Sequence, residues 1–493
     1  MNEVPGLSRM ALHRARISRD ARFDGKFYIA VLTTGVYCRP ICPSPQSKKS
    51  NVRYYATAAA AAAAGYRPCR RCRPEVAPGS PAWLGPSAVV RRALRLIQEG
   101  ALDEATVDAL ALRVGVGPRH LDRLFTEHVG VSPIAVAQTR RLHFAKQLLD
   151  QTNLPITQVA MSAGFGSLRR FNETYQATFG CTPRVTRRRS NRSPARDEQL
   201  SLTLSFRPPY DWDALVAFLS ARAIRGVEHV SVSGYLRTIR LARGYARIRV
   251  APLSTEHALQ LEVSRAEPSD LFEIATTARR VFDLSADPAA IAEVLSADPL
   301  LKPLARRRPG LRIPGVWDAF ECAVRAVLGQ SMSVSAARLA SERLVRRVGD
   351  RVAAASDDLA HLFPLPQQIV EADLNGIGLT AATIAGLRAL ARAVRDGTLN
   401  LLAPADEVVA ALAALPGVSD WAAQYVAMRA LGEPDAFPCN EILLRRVARG
   451  DRSSAGDIDD RAQAWRPWRG YAAVHLWQSA AERAAAARPA ANG

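Results

Sequence analysis

The sequence predicts a multidomain protein, mainly α with α+β parts, and three observations carry that reading. At 493 residues the chain is too long for one hydrophobic core, so several domains are expected. Two stretches, Pro74 to Pro86 and Pro183 to Gln199, are rich in Pro, Gly, Ser or Arg and poor in apolar residues, a linker composition. The hydrophobic period also changes along the chain: helical over 84–183, alternating over 200–270, helical again over 271–482. Residues 1–78 then form a small α/β domain, 184–199 an arginine-rich linker and 483–493 a disordered tail.

The first domain is marked by Cys38, Cys42, Cys69 and Cys72, a C-x-x-x-C and a C-x-x-C pair with 26 residues between them. Such spacings bring two sulfurs per loop to one tetrahedral ion, and four thiolates favour Zn²⁺. One zinc ion is therefore expected, with no iron–sulfur cluster and no nucleotide. Spacing alone reads most simply as a structural site. The cationic surround adds a second reading: Arg39, Arg67, Arg70 and Arg71 would hold a phosphate backbone near sulfurs that the metal keeps deprotonated. The remaining cysteines, Cys181, Cys322 and Cys439, are scattered singly, which suits a reducing cytoplasm.

The segment 84–183 repeats one grammar twice. Val107, Leu110, Ala111 and Val114 recur at helical spacing, Gly115-Val116-Gly117 interrupts, and Pro118 opens a helix with Leu121, Leu124 and Phe125 inward. About fifty residues later Ile156, Val159 and Ala160 lead to Gly164-Phe165-Gly166, then a helix with Phe171, Tyr175 and Phe179 inward. Helix, glycine turn, helix is the helix-turn-helix pattern. The outward residues, Arg119, His120 and Arg123 in one copy and Arg169, Arg170, Asn172 and Gln176 in the other, are types that contact bases and phosphates.

From Leu200 the pattern alternates through Leu202–Phe206, Val230–Val232, Thr238–Leu241 and Ala246–Val250, with a helix at Trp212–Arg222, a small α+β domain. Beyond Leu271 two places carry chemistry. Leu415-Pro416-Gly417-Val418-Ser419 is a tight turn between amphipathic helices, able to present backbone N–H groups to a phosphate or to serve as an ordinary connection. Glu441 follows within Phe437-Pro438-Cys439-Asn440-Glu441. Five of the seven tryptophans lie in this region, and Trp421 and Tyr425 share a helix face. Such rings stack an extruded base or simply fill a core.

The charge balance, 66 Lys+Arg against 46 Asp+Glu, gives +20 and a pI near 10.3, so a polyanion is the expected partner, nucleic acid before membrane. Met1-Asn2-Glu3-Val4-Pro5 opens no signal peptide, and uncharged stretches such as Tyr54–Tyr66 are too short or polar to span a bilayer. The expected location is cytoplasmic, at the nucleoid.

These motifs match known families in three consecutive blocks. Thr33-Thr34-Gly35-Val36-Tyr37-Cys38-Arg39-Pro40, with Tyr66-Arg67-Pro68-Cys69-Arg70-Arg71-Cys72, resembles the N-terminal domain of the adaptive-response regulator Ada. The tandem helix-turn-helix, closing on Phe179-Gly180-Cys181-Thr182-Pro183, resembles the AraC-type domain that follows in Ada. The remainder is similar to the alkylpurine DNA glycosylase AlkA, of the helix-hairpin-helix superfamily. The residues concerned are Arg207–Trp212, Arg308–Gly315, Val327-Leu328-Gly329-Gln330 and Trp465–Arg469. No Cys-His dipeptide occurs, so the second methyltransferase domain usual in Ada is missing.

The resemblance implies roles. Cys38 would accept a methyl group from a DNA methylphosphotriester, with Cys42, Cys69 and Cys72 completing the zinc site. Alkylated and promoter DNA would be the partners, with RNA polymerase at the promoter and no membrane. The helix-hairpin-helix would fall at Leu415–Ser419, with Gly417 and Ser419 on the DNA. Glu441 would be the catalytic carboxylate, and Trp421, Tyr425 and Trp477 would line the base pocket. Three positions depart from AlkA: Glu441 replaces aspartate, Ser419 replaces the second hairpin glycine, and Ser331 stands where an apolar wedge is usual. Ser419 implies either a left-handed residue or a helix N-cap. The rival reading is therefore a methylation-responsive activator whose AlkA-like half only binds DNA.

Overall fold

The computed structural model describes residues 4, 7–19, 23, 27–42, 44–69, 72, 74, 88–98, 100–102, 105–189, 199–254, 256–353, 359–438 and 455–486. Glu441, Arg70 and Arg71 lie outside the described residues. The chain divides into two compact units, Met1–Thr203 with Ala266–Thr277, and Leu204–Arg265 with Ala278–Gly493.

The first unit opens with α1 (Arg9–Ser18), capped by Ser8, and strands β1 (Tyr28–Val31), β2 (Val36–Cys38) and β3 (Val52–Tyr55). Helix α2 (Ala58–Ala63) and the short β4 (Arg67–Pro68) follow. Six alanines favour the helix, and the Thr57 hydroxyl caps it by accepting from Ala60 N–H at 3.0 Å. The sheet order is β3-β1-β2-β4, antiparallel except for the β2–β4 pair. Tyr28 and Tyr37 are buried in the cluster that includes Ala61 and Ala62 of α2, and Phe27 in a separate one with Leu12 and Ala15 of α1.

The helical part comprises α3 (Ala88–Gln98), α4 (Val107–Arg113), α5 (Pro118–His128), α6 (Pro133–Gln151), α7 (Ile156–Ser162) and α8 (Leu168–Phe179). Of the expected inward residues, Leu110, Ala111, Leu121 and Phe125, and Val159, Ala160, Phe171 and Tyr175, are buried, while Leu124 and Phe179 are only half-buried. Gly115 and Gly164 make the two turns with φ of +75° and +76°, a backbone region that disfavours side chains. The linker expected at 184–199 begins instead with α9 (Pro183–Arg189). Buried Thr186 bonds Tyr175 Oη at 3.0 Å, and Arg187 donates to Leu154 O at 2.8 Å. These anchors are invisible in an arginine-rich composition.

Strand β5 (Gln199–Ser205) carries the chain into the second unit, followed by α10 (Trp212–Ser220), β6 (Glu228–Ser231), β7 (Gly234–Leu241), β8 (Gly244–Pro252) and β9 (Ala258–Ser264). The sheet order is β5-β9-β8-β7-β6, with β6 to β9 antiparallel. The domain boundary expected at 270 does not coincide with the unit boundary. Phe272, on α11 (Leu271–Val281), packs on Phe144 at 4.7 Å and beneath the Arg140 guanidinium, which draws 266–277 to the first unit.

The rest of the second unit is helical: α12 (Pro288–Leu295), α13 (Leu301–Arg307), α14 (Ala319–Gly329), α15 (Val334–Val348), α16 (Pro366–Glu371) and α17 (Ala381–Arg395). Then come α18 (Ala405–Ala413), α19 (Asp420–Arg429), α20 (Ala455–Ala462) and α21 (Arg469–Ala486). Residues 483–486, expected in the tail, belong to α21. A buried ion network fixes α14 on the sheet. Arg237 donates to Glu228 at 2.8 Å and also pairs with Glu321, while Arg325 reaches Glu228 at 2.7 Å. Burial raises Glu228, but Arg325 and Arg237 outweigh it and hold the carboxyl at about 2. Among the described residues no helix is long and apolar enough to cross a membrane.

Candidate zinc centre, DNA-facing helices and base pocket

Adjacent strands bring the cysteines together. Cys38 ends β2, and Cys69 follows β4, where its N–H donates to Tyr37 O at 2.9 Å. A turn returns Cys42 N–H to Arg39 O at 3.1 Å. Arg39 holds the fourth ligand, its N–H donating to Cys72 Sγ and its Nη1 to Cys72 O, both at 3.3 Å. All four Sγ atoms lie within 4.8 Å of one another, with Cys42 and Cys69 at 3.8 Å. Four sulfurs about 2.3 Å from a tetrahedral zinc stand about 3.8 Å apart, so the donor set fits the ion.

Electrostatics point the same way. Hydrogen bonding from Cys38 draws the Cys42 thiol down to about 6, while bonds to Cys42 and Cys38 push Cys38 and Cys72 respectively far above the ordinary thiol range. Four crowded thiols cannot ionise together without a cation. Cys42, Cys69 and Cys72 are buried; Cys38 is the ligand left partly open. Arg39 departs from its expected place on a phosphate, since it is buried and turned onto Cys72. Arg67 is half-buried on β4.

Arg119, His120 and Arg123 stand exposed along α5, where Arg123 donates to His120 Nδ1 at 3.0 Å. Arg169, Arg170 and Asn172 stand exposed along α8, with Arg169 meeting Glu173 at 2.9 Å in an exposed pair that competes weakly against a phosphate. The residues flanking α2 abut these helices. The Thr57 hydroxyl donates to Val129 O at the end of α5 at 2.6 Å, and a Cβ on Gly65 would touch Thr178 O of α8 at 3.0 Å.

In the second unit the 415–419 turn joins α18 to α19. Gly417 has φ +80°, and a Cβ there would lie 3.0 Å from Gly386 Cα of α17. Ser419 is extended, φ −85° and ψ 158°, with its hydroxyl accepting from Ala422 N–H at 3.2 Å. It is therefore the N-cap and carries no left-handed strain. Its N–H donates to Gln330 Oε1 at 2.9 Å, so that amide is already engaged and does not await a phosphate.

Immediately beyond, Trp421 and Tyr425 stack at 4.9 Å and 26°, and Trp477 meets Tyr425 at 6.1 Å. The three expected pocket residues thus converge. Phe437 N–H donates to Gln424 of α19 at 3.3 Å.

Comparison with known proteins places this arrangement. Three family models match: the metal binding domain of Ada over 11–75, a helix-turn-helix domain over 110–189 and the AlkA N-terminal domain over 201–318. The "probable bifunctional transcriptional activator/DNA repair enzyme AlkA" of Mycobacterium tuberculosis is 41% identical over 473 residues, 94% of this chain and 95% of its own. The chain belongs to the Ada–AlkA fusion family. Its second half is also 33% identical over 282 residues to the DNA-3-methyladenine glycosylase 2 of Escherichia coli, covering 56% of this chain and 96% of that one. A solved 3-methyladenine DNA-glycosylase from Archaeoglobus fulgidus shares the fold, with TM-score 0.51 at 20% identity over 57% of this chain and 98% of its own.

Within this Ada–AlkA chain, three residues packed on this aromatic cluster escaped sequence reasoning. Phe218 stacks on Trp477 at 6.4 Å and 26°, and the Arg222 guanidinium lies 3.7 Å over its ring. Buried Arg429 stands 4.9 Å from Phe218 and 5.1 Å from Tyr425, donating to Tyr425 Oη at 2.5 Å, Pro314 O at 2.6 Å and Gly315 O at 3.1 Å. The i, i+4 spacing of Phe218 and Arg222 was a signal that they share a face. Nothing local told that this face meets α19 and α21.

Proposed function

We propose that the protein removes a methyl group from DNA methylphosphotriesters onto Cys38, regulates transcription through its two helix-turn-helix units, and excises alkylated purines with its AlkA-like half. The observation that carries the reading is the four-sulfur cluster with Cys38 as a partly open ligand. A bound zinc ion supplies the positive charge that keeps the four sulfurs as thiolates. Cys38 Sγ attacks the methyl carbon; the C–S bond forms as the C–O bond breaks, its electron pair leaving on the phosphate oxygen as a phosphodiester. The sulfur becomes a thioether, so each chain acts once. The cluster also loses one negative charge, which lessens its repulsion of DNA. The Thr57–Val129 bond supports a short route from that event to α5.

Excision would begin with the damaged base stacking among Trp421, Tyr425, Trp477 and Phe218. Glu441 would stabilise the oxocarbenium-like sugar as the N-glycosidic bond breaks with its electron pair on the base, and water adds to the sugar. Alkylated and promoter DNA are the partners in this reading, with RNA polymerase met at the promoter and the nucleoid as the site of action. The departures at Glu441 and Ser331 favour a second reading in which this half only binds DNA.

Two measurements test the proposal. Mass spectrometry after exposure to methylated DNA should find one methyl group, on Cys38; an unmodified peptide removes the transfer. Base release from methylated duplex should exceed that of Glu441→Ala by at least ~10²-fold; release no greater than the variant's leaves the regulator alone.

A further inference from the structure

Gln330 follows α14 and forms the only side-chain bridge, among the described residues, between that helix and the 415–419 turn. Its amide pairs with the turn as a strand edge would. Nε2 donates to Gly417 O at 2.6 Å, and Oε1 accepts from Ser419 N–H at 2.9 Å. Val418, between them, closes back on Leu415 O at 3.2 Å. With those groups engaged, the Gly417 and Asp420 N–H groups remain without an internal acceptor among the described residues, as first-turn amides of a helix commonly do.

The other end of this bridge is the pocket. A Cβ on Gly329 would lie 3.8 Å from the Trp421 ring, so the end of α14 backs onto the aromatic that opens the cluster. The body of α14 cannot drift, because Glu321 and Arg325 tie it to Arg237 and Glu228 of the sheet. Sheet, α14, Gln330 and turn thus form one connected frame.

From this geometry we infer that Gln330 is a positioning residue, setting the offset between the phosphate-holding turn and the base pocket and so the distance over which a nucleotide is drawn from the duplex. The inference rests on the excision reading above. A strand held at the turn delivers its neighbour to Trp421 only if that offset is kept, and a displacement of about 1 Å costs on the order of 10²-fold in rate. A base in single-stranded DNA is not constrained by pairing and tolerates the loss.

The test compares full-length wild type with Gln330→Ala and with Gln330→Glu, which keeps the acceptor for Ser419 N–H but repels Gly417 O. The readouts are melting temperature, base release from a damaged duplex and from the same oligonucleotide single-stranded, and fluorescence of 2-aminopurine beside the damaged base. Gln330→Ala should lower duplex release and the 2-aminopurine signal by roughly 10–100-fold while single-strand release changes less than about 3-fold. Gln330→Glu should lose at least as much. Equal losses on both substrates, or an undiminished duplex signal, overturn the inference. Should wild type release no base, excision fails, yet the 2-aminopurine signal still decides: its presence in wild type and loss in Gln330→Ala uphold the role, and its absence in wild type overturns it.

Discussion

Replacing Gly417 with alanine tests the hairpin through two separable terms. The first is conformational: φ is +80°, where an L side chain costs about 1–2 kcal/mol. The second is steric: the new Cβ stands 3.0 Å from Gly386 Cα, and such overpacking against backbone costs about 1–3 kcal/mol. Gly417→Ala should therefore destabilise the second unit by roughly 2–5 kcal/mol. Two companion variants separate the terms. Gly376→Ala meets φ +77° with nothing within 4 Å, so it reports conformation alone, about 1–2 kcal/mol. Gly386→Ala has no left-handed φ but would touch Gly417 O at 3.2 Å; its packing cost is offset by a helix gain of about 1 kcal/mol. Urea unfolding followed by tryptophan fluorescence reads the right unit, because six of the seven tryptophans fall in it. An unchanged midpoint in Gly417→Ala refutes the hairpin geometry. A loss no larger than that of Gly376→Ala refutes the contact with Gly386.

Cys72→Ala should abolish the one zinc per chain expected for wild type and unfold the sheet around it, read by metal analysis and protease resistance of residues 1–78. Burial pushes the Asp283 carboxyl up to about 6, against the help of Arg312 and the Tyr471 hydroxyl. The folded state then binds a proton that the unfolded state releases from pH 3.8 upward, so this stabilisation is complete below about 4 and lost as pH rises past 6. Asp283→Asn should flatten that fall, by roughly 1–3 kcal/mol between pH 4 and 7.5 in chemical denaturation. Removing the cation above Phe218 with Arg222→Ala should raise release of cationic 7-methylguanine relative to neutral hypoxanthine by about 5-fold, since a guanidinium on the ring competes with a cationic base.

Much of this was legible because it is local. Paired cysteine spacing determines which sulfurs can share an ion, and helical periodicity determined that Leu110, Leu121, Phe125, Val159, Phe171 and Tyr175 turn inward. Glycines in 115–117, 164–166 and at 417 marked the turns, and the structure makes Gly115, Gly164 and Gly417 the left-handed ones. What the sequence left open was the use of Ser419, and its hydroxyl on Ala422 N–H decided for the cap.

Tertiary structure alone decided the remainder. Arginine-rich composition hid the Thr186 and Arg187 anchors that make α9 a helix, and Arg39 turned inward because Cys72 offered it a sulfur and a carbonyl. Phe218, Trp421, Tyr425 and Trp477 come from three helices spread over 260 residues, and Gln330 meets the turn from 87 residues away. Spacing and periodicity record which face a residue occupies on its own element. Which faces then meet is set by packing across the whole core, and a linear pattern does not encode that.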